Sequence, residues 1–271
     1  MKSFFENKPR RNSSGFTLVE MAVVLVIIGL ILGAVSIGKD VQRNAEYAKI
    51  KQKFVDQWAV SYNAYVQRTG YPLGDMQQEP RYMVNGYNYN INAAADAVVS
   101  GGNMVAVTAP LAICHGAQGP YMERDMQTGT EFDLRNLMQR AGVRMPPGRA
   151  EGREDRYVYL DSNGNPQEIQ VCFQWNNPEM PEGAGNVMVI TGLTPDLARS
   201  LDQMIDGKPD AREGVFRMQN VENSTANVAG IEWEANNTYE YGSSSSAATT
   251  MGRERDEDQV QTVVAIYKMN Q

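Results

Sequence analysis

One carboxylate stands inside an apolar stretch. Between Phe16 and Gly38 the only charged side chain is Glu20. An ionised carboxylate in such surroundings needs a partner, and no Lys, Arg or His lies within the stretch. The backbone can supply one. Cutting between Gly15 and Phe16 would leave an α-amino group on Phe16, one helical turn from Glu20. That amine can meet Glu20 in the same chain or in a neighbouring copy. Other reactive groups are scarce. Cys114 and Cys172 are the only cysteines and His115 the only histidine, so Cys114-His115 lacks the further ligands a zinc site requires. Asp161-x-Asn163-x-Asn165 spaces oxygen side chains as calcium loops do. The twelfth position of such a loop would be Cys172, and a plain hairpin turn explains the same residues. No phosphate-binding loop, nucleophile elbow or zinc helix is present. No enzyme, cofactor or metal is expected.

The segment that positions Glu20 explains why the charge matters. Met21–Ile37 is seventeen residues without a charge, and with its flanks it is long enough to cross a bilayer. Lys2, Lys8, Arg10 and Arg11 precede it against Glu6 alone. By the positive-inside rule that basic flank stays in the cytoplasm. A secretory signal peptide would have a shorter apolar core and a small-residue cleavage site on its far side. Val35-Ser36-Ile37-Gly38-Lys39-Asp40 is a poor one.

Gly15-Phe16-Thr17-Leu18-Val19-Glu20, with the basic leader before it and the apolar run after it, closely resembles the type IV prepilin signature. The resemblance implies that a prepilin peptidase cuts after Gly15 on the cytoplasmic side and methylates the new amine of Phe16. It implies that Glu20 pairs with the Phe16 amine of the adjacent subunit during filament assembly. It also implies the partners: other pilin subunits, the peptidase, an inner-membrane assembly platform, and membrane lipid before assembly. The chain would be single-pass in the inner membrane first and part of a periplasmic or extracellular filament afterwards. The large region after the helix favours a minor or specialised pilin. The alternatives are a type II secretion pseudopilin and an uncleaved membrane-anchored adhesin or binding module. Many members carry a proline where this chain has Ile37. Here Gly29, Gly33 and Gly38 are the helix-weakening residues, each by about 1 kcal/mol relative to Ala.

Beyond the apolar run, Lys39 to Arg68 contains no Pro or Gly. Tyr47, Ile50, Phe54, Trp58, Tyr62 and Tyr65 recur every three or four residues, the stripe of an amphipathic helix. Gly70 and Pro72 end it. This divides the chain into a leader (1–15), a transmembrane or filament-core helix (16–38), an amphipathic helix (39–69) and a globular head (70–271). In the head, residues 70–125 read as a weakly structured connection, and Glu131–Ala141 has helical spacing. Strands are expected at Tyr157–Leu160, Ile169–Phe173, Val187–Thr191, Val215–Met218, Val228–Trp233 and Gln259–Met269. The first two flank the Asp161–Pro166 turn. Thr194-Pro195-Asp196 starts a helix that Gly207 stops. The fold class is α+β, with the long helix packed on an antiparallel sheet as the resemblance also implies.

This topology places Cys114 and Cys172 outside the cytoplasm, where disulfides persist. A structural disulfide is preferred over two free thiols or a redox pair. It would close a loop of about 59 residues and contribute on the order of 4 kcal/mol by chain-entropy reasoning.

Composition sets the outer bounds. The chain has 271 residues, 25 Lys+Arg and 32 Asp+Glu, for a net charge of −7. A chain this long buries a real core, and two cysteines cannot scaffold a mini-protein. The acidic balance argues against nucleic acid as a partner. The one exception is an arginine-rich stretch over residues 135–156, which reads as a solvated loop or a contact with an acidic neighbour before it reads as a DNA site.

Overall fold

The computed structural model describes residues 17–78, 80–84, 86, 134–176, 178, 180–219, 221, 230–233 and 262–269. The chain divides into two units, Met1–Ala45 and Glu46–Gln271. Helix α1 spans Leu18–Ile50, a π-helical turn follows at Lys51–Val55, and α2 spans Asp56–Thr69. The helix passes through Gly29, Gly33 and Gly38 without a break. It stops at Gly70, which takes the left-handed conformation (φ 82°) and donates its N–H to Val66 O, as a glycine C-cap does.

The π-turn explains the spacing of the aromatic stripe. From Ile50 through Phe54 and Trp58 to Tyr62 every step is four residues. In a regular α-helix each such step rotates about 40° past a full turn, so three would carry Tyr62 away from the face that holds Ile50. Bonding i to i+5 adds a residue to the turn and removes that drift. Tyr47, Ile50, Phe54, Trp58, Tyr62 and Tyr65 are all buried, none more than 2% exposed. Lys51 Nζ donates to both carboxylate oxygens of Asp56, at 2.9 and 2.8 Å, a five-residue pairing that brackets the π-turn.

The second unit is an α+β head. Its sheet contains β1 (Arg156–Leu160), β2 (Pro166–Asn176), β3 (Gly185–Leu193), β4 (Phe216–Met218) and β5 (Val263–Lys268). The order is β1-β2-β3-β5-β4, and every neighbouring pair is antiparallel. Two short helices accompany it: α3 (Leu134–Arg140) and α4 (Pro195–Ile205). Phe173 on β2 seats the long helix on the sheet. Its ring stacks on Tyr62 (5.1 Å between centroids) and leans on Trp58 (6.1 Å). Phe54 meets Tyr157 on β1 at 5.5 Å. Trp58 Nε1 donates to Glu154 O and Ser61 Oγ to Arg144 O, so the indole N–H and this hydroxyl are paired across the contact. Val187, Met188, Val189 and Ile190 of β3 are buried in succession, so this central strand is covered on both faces.

Most expected elements form, with shifted ends. The hairpin closes on Asp161, whose Oδ1 accepts the N–H groups of Asn163 and Asn165 at 2.9 and 2.8 Å. Its carboxylate is committed to the turn, with Gln167 Nε2 on the other oxygen at 3.3 Å. Thr194 caps α4 by accepting Leu197 N–H, with Pro195 at the first position. Gly192 at φ +77° makes the β3 bulge: a Cβ there would lie 2.1 Å from Glu168 O. One expectation is corrected. Gly230–Trp233, the described part of the Val228–Trp233 strand, is not a strand. Its backbone is used elsewhere: Ile231 O accepts from Ala211 N–H, and Ile231 N–H donates to Asp210 Oδ1.

The connection after α2 is ordered over its described first part by a buried carboxylate. Asp75 accepts the N–H groups of Met76, Arg81 and Tyr82 at 2.7–3.2 Å. Burial pushes its carboxyl above the usual range, against the pull of those donors. Asn186 of β3 reaches the same loop, accepting from Val84 N–H (2.8 Å) and donating to Tyr82 O (3.0 Å).

Phe173→Ala is expected to destabilise the head by about 3–5 kcal/mol, because its ring fills the contact between β2 and α2. Urea unfolding of the full chain in detergent, followed by tryptophan fluorescence, reads this directly. A loss well under 1 kcal/mol would show that α2 is held on the sheet by other contacts.

Candidate membrane and assembly segment

The first unit presents an apolar helix surface that no described residue covers. Leu18 is 90% exposed, Leu30 70% and Ile37 67%, and none of the apolar window is buried. The helix is long and apolar enough to cross a membrane. At roughly 25 cal/mol per Å² of apolar surface, exposing such a face to water is strongly unfavourable. It requires lipid or other apolar surfaces around it.

Glu20 sits at the start of this helix, in its first turn. Thr17 is the N-cap: Glu20 N–H donates to Thr17 Oγ1 at 3.3 Å. In return, Thr17 N–H donates to Glu20 Oε2 at 2.8 Å, and the Thr17 hydroxyl to the same oxygen at 3.1 Å. This is a reciprocal capping box. The helix begins with four N–H groups that have no intrahelical partner, and the carboxylate also lies at the positive end of the helix dipole. Thr17-x-x-Glu20 is a T-x-x-E pattern and was legible as such. The apolar run around it drew attention to the charge alone. Two of the three contacts involve the carboxylate, and both use a single oxygen, Oε2. Capping its own helix therefore leaves Glu20 with Oε1 to offer to another donor.

The remaining expected residues divide as follows. Gly15 and Phe16 lie outside the described residues, as do Cys114 and His115. Cys172 is on β2, 1% exposed. Successive strand residues face opposite ways, and Phe173 touches α2, so Cys172 faces the other side of the sheet. Among the described residues no group of three or more His, Cys, Asp or Glu is placed to hold a metal ion. The arginine-rich stretch is partly paired within the head. Arg149 and Arg156 both bind Glu168, and Arg135 lies 3.6 Å from Glu151 and 3.9 Å from Glu154. It stands as a braced ionic surface beside β1.

Comparison with known families singles out the same segment. Residues 10–36 match the prokaryotic N-terminal methylation motif. No curated protein and no solved structure matches the chain significantly. The matched segment contains Arg10 and Arg11 of the basic flank, Gly15, Phe16, Glu20 and most of the exposed apolar helix.

The capping box makes a local prediction. Thr17→Ala removes the hydroxyl that accepts Glu20 N–H and is expected to weaken the first helical turn by about 1 kcal/mol. Amide exchange in detergent micelles should quicken at Leu18–Glu20 and stay unchanged beyond Leu30. Unchanged exchange at Glu20 would count against the cap.

Proposed function

We propose that this type IV pilin-like chain is the precursor of a filament subunit whose work is structural and not enzymatic. The observation that carries the reading is the match of residues 10–36 to the methylation motif, on a helix whose apolar surface is fully exposed. Residues 1–15 are the leader. A prepilin peptidase cuts between Gly15 and Phe16 and methylates the Phe16 amine. Before assembly the subunit is held in the inner membrane by its single apolar helix, with the head outside the cytoplasm. Transfer into the filament replaces lipid with the same helices of other subunits, so the apolar surface stays out of water in both states. The Phe16 amine of one subunit pairs with Glu20 of its neighbour. That pair sets the register, because an unpaired charge at this depth is disfavoured in either environment. The size of the head favours a minor or specialised subunit.

Cys172 and Cys114 form the head's disulfide in this reading. In support, Cys172 is buried, no described cysteine is a free thiol, and the compartment is oxidising. It would staple the region before α3 to β2.

N-terminal mass spectrometry of the protein from its native host tests the processing. A methylated Phe16 start is expected; an intact Met1 would instead indicate an uncleaved anchored module. Glu20→Leu is expected to insert in the membrane normally yet be depleted from sheared filaments by tenfold or more, roughly what one lost charge-assisted contact implies. Recovery at the wild-type level would remove the role given to the pair. For the disulfide, alkylation of the unfolded, unreduced head should label neither cysteine, and labelling of both would refute it.

A further inference from the structure

The corner between α4 and β4 contains two carboxyl groups that no cation pairs with among the described residues. Asp202, in the last turn of α4, is 0% exposed. Its Oδ2 accepts the indole N–H of Trp233 at 2.8 Å. Its Oδ1 is buried without a hydrogen bond of normal geometry, and the Asp210 N–H lies near enough to the carboxyl to draw on it weakly. Asp206, one turn on, caps α4 by donating its N–H to Asp202 O at 2.8 Å. The side chains of the two residues lie within hydrogen-bonding reach. Asp206 Oδ2 in turn accepts Val215 N–H (3.0 Å) and Phe216 N–H (2.9 Å), which fixes the start of β4. Gly214 is required for this approach, since a Cβ there would lie 2.1 Å from that oxygen.

Electrostatics makes two ionised carboxylates here costly. The C-terminal end of a helix dipole disfavours negative charge, and the last turn of α4 has no basic residue. The nearby cations are engaged elsewhere. Lys208 holds Asp210 and Glu213, and Arg199 holds Glu232. Arg217 donates to Gly214 O and Glu182 O. Arg212, in the same loop, gives its backbone N–H to Asp210; its guanidinium Nε is buried without a hydrogen bond and makes no ion pair with Asp202 or Asp206 among the described residues. From β5, Tyr267 faces Asp206 and also Asp56 of α2. Burial and those two charges raise its hydroxyl, so it stays neutral. Lys268 is on the opposite sheet face from Tyr267. Asp210 is held by Lys208 Nζ and by two backbone N–H groups, which leaves only two carboxylates for a cation, fewer than calcium takes.

We infer that Asp202 is protonated in the folded chain and donates its hydrogen to Asp206, so that the corner joining α4 to β4 is a proton latch. This stands independently of the filament reading. With the proton present, Oδ1 has a partner and Asp206 Oδ2 stays on the two N–H groups of β4. Without it, two carboxylates face each other in a buried corner, and the 206–216 segment loosens. Burial is the largest influence on Asp202, followed by the opposing pull of Trp233 and the repulsion of Asp206; together they push its carboxyl from 3.8 up to about 7. A folded-state value above the unfolded one means that the folded chain binds the extra proton between those limits. The latch therefore contributes fully below about pH 4, and its contribution is lost as the pH rises to about 7.

The test uses the full chain in detergent with a chelator present. Infrared difference spectra between about pH 5 and about pH 8 are expected to show one protonated-carboxyl C=O band that titrates near neutrality and is absent in Asp202→Asn. Amide exchange at Val215 and Phe216, corrected for its intrinsic pH dependence, should rise over the same range in the wild type and stay level in Asp202→Asn. Asp206→Asn removes the facing charge and is expected to lower the midpoint of the band by about one unit or more. This variant carries the test if Asp202→Asn does not fold. The latch is overturned if the band survives in Asp202→Asn, or if its midpoint is unmoved in Asp206→Asn. It is also overturned if calcium added at the higher pH protects Val215 and Phe216 as acid does, which would make the corner a cation site.

Discussion

Water cannot be the neighbour of the helix between Leu18 and Ile37. Leucine, isoleucine and valine side chains cover it on every side and remain exposed. A surface of that size must be covered from outside the chain, by lipid or by other apolar helices. The position of Glu20 follows from the same constraint. At the first turn of an apolar helix, a carboxylate is tolerable where unpartnered backbone N–H groups and the helix dipole also lie. Its exchange of contacts with Thr17 shows how one side chain can serve the helix start while staying available to a further donor.

The head answers a different constraint. An aromatic stripe extending along a helix needs a matching surface, and the stripe must stay on one face to find it. Ile50, Phe54, Trp58 and Tyr62 step by fours, too wide for a regular α-helix. The π-turn at Lys51–Val55 brings them back into line, and Phe173 then meets both Trp58 and Tyr62. The inserted turn is a consequence of the spacing, and Lys51 with Asp56 spans it.

Strong local signals were readable from the residues. Thr194-Pro195 before an apolar face, Gly70 before Pro72, and the Asp161–Pro166 turn each encode their geometry within a few positions. The membrane helix and the α+β class were legible for the same reason, since periodicity is a local property. What escaped depends on distant partners. Gly230–Trp233 has strand-like residues, yet its backbone is taken up by Asp210 and Ala211. Asp75 and Asp202 look like ordinary surface acids in the sequence. Only the fold shows one gathering the N–H groups of its loop and the other buried beside a tryptophan. For Glu20 the T-x-x-E pattern was present, but attention to its charge obscured its capping role. Gly15, Phe16 and Cys114 lie outside the described residues, so the roles given to them rest on the sequence.

The order of strands has a consequence for how the head is made. β5 follows β4 in the sequence but lies between β4 and β3 in the sheet. Among the described residues β4 pairs with β5 alone, and three residues of isolated strand hold no structure by themselves. A head that emerges from its N-terminal side therefore presents β1, β2 and β3 while the inner place in the sheet is still vacant. The far edge, with the α4 corner attached to it, can only be fastened once Val263–Lys268 has arrived. Such long-range closure is slow compared with local hairpin formation, so the exposed edge of β3 is the part of the nascent head most in need of protection from other chains.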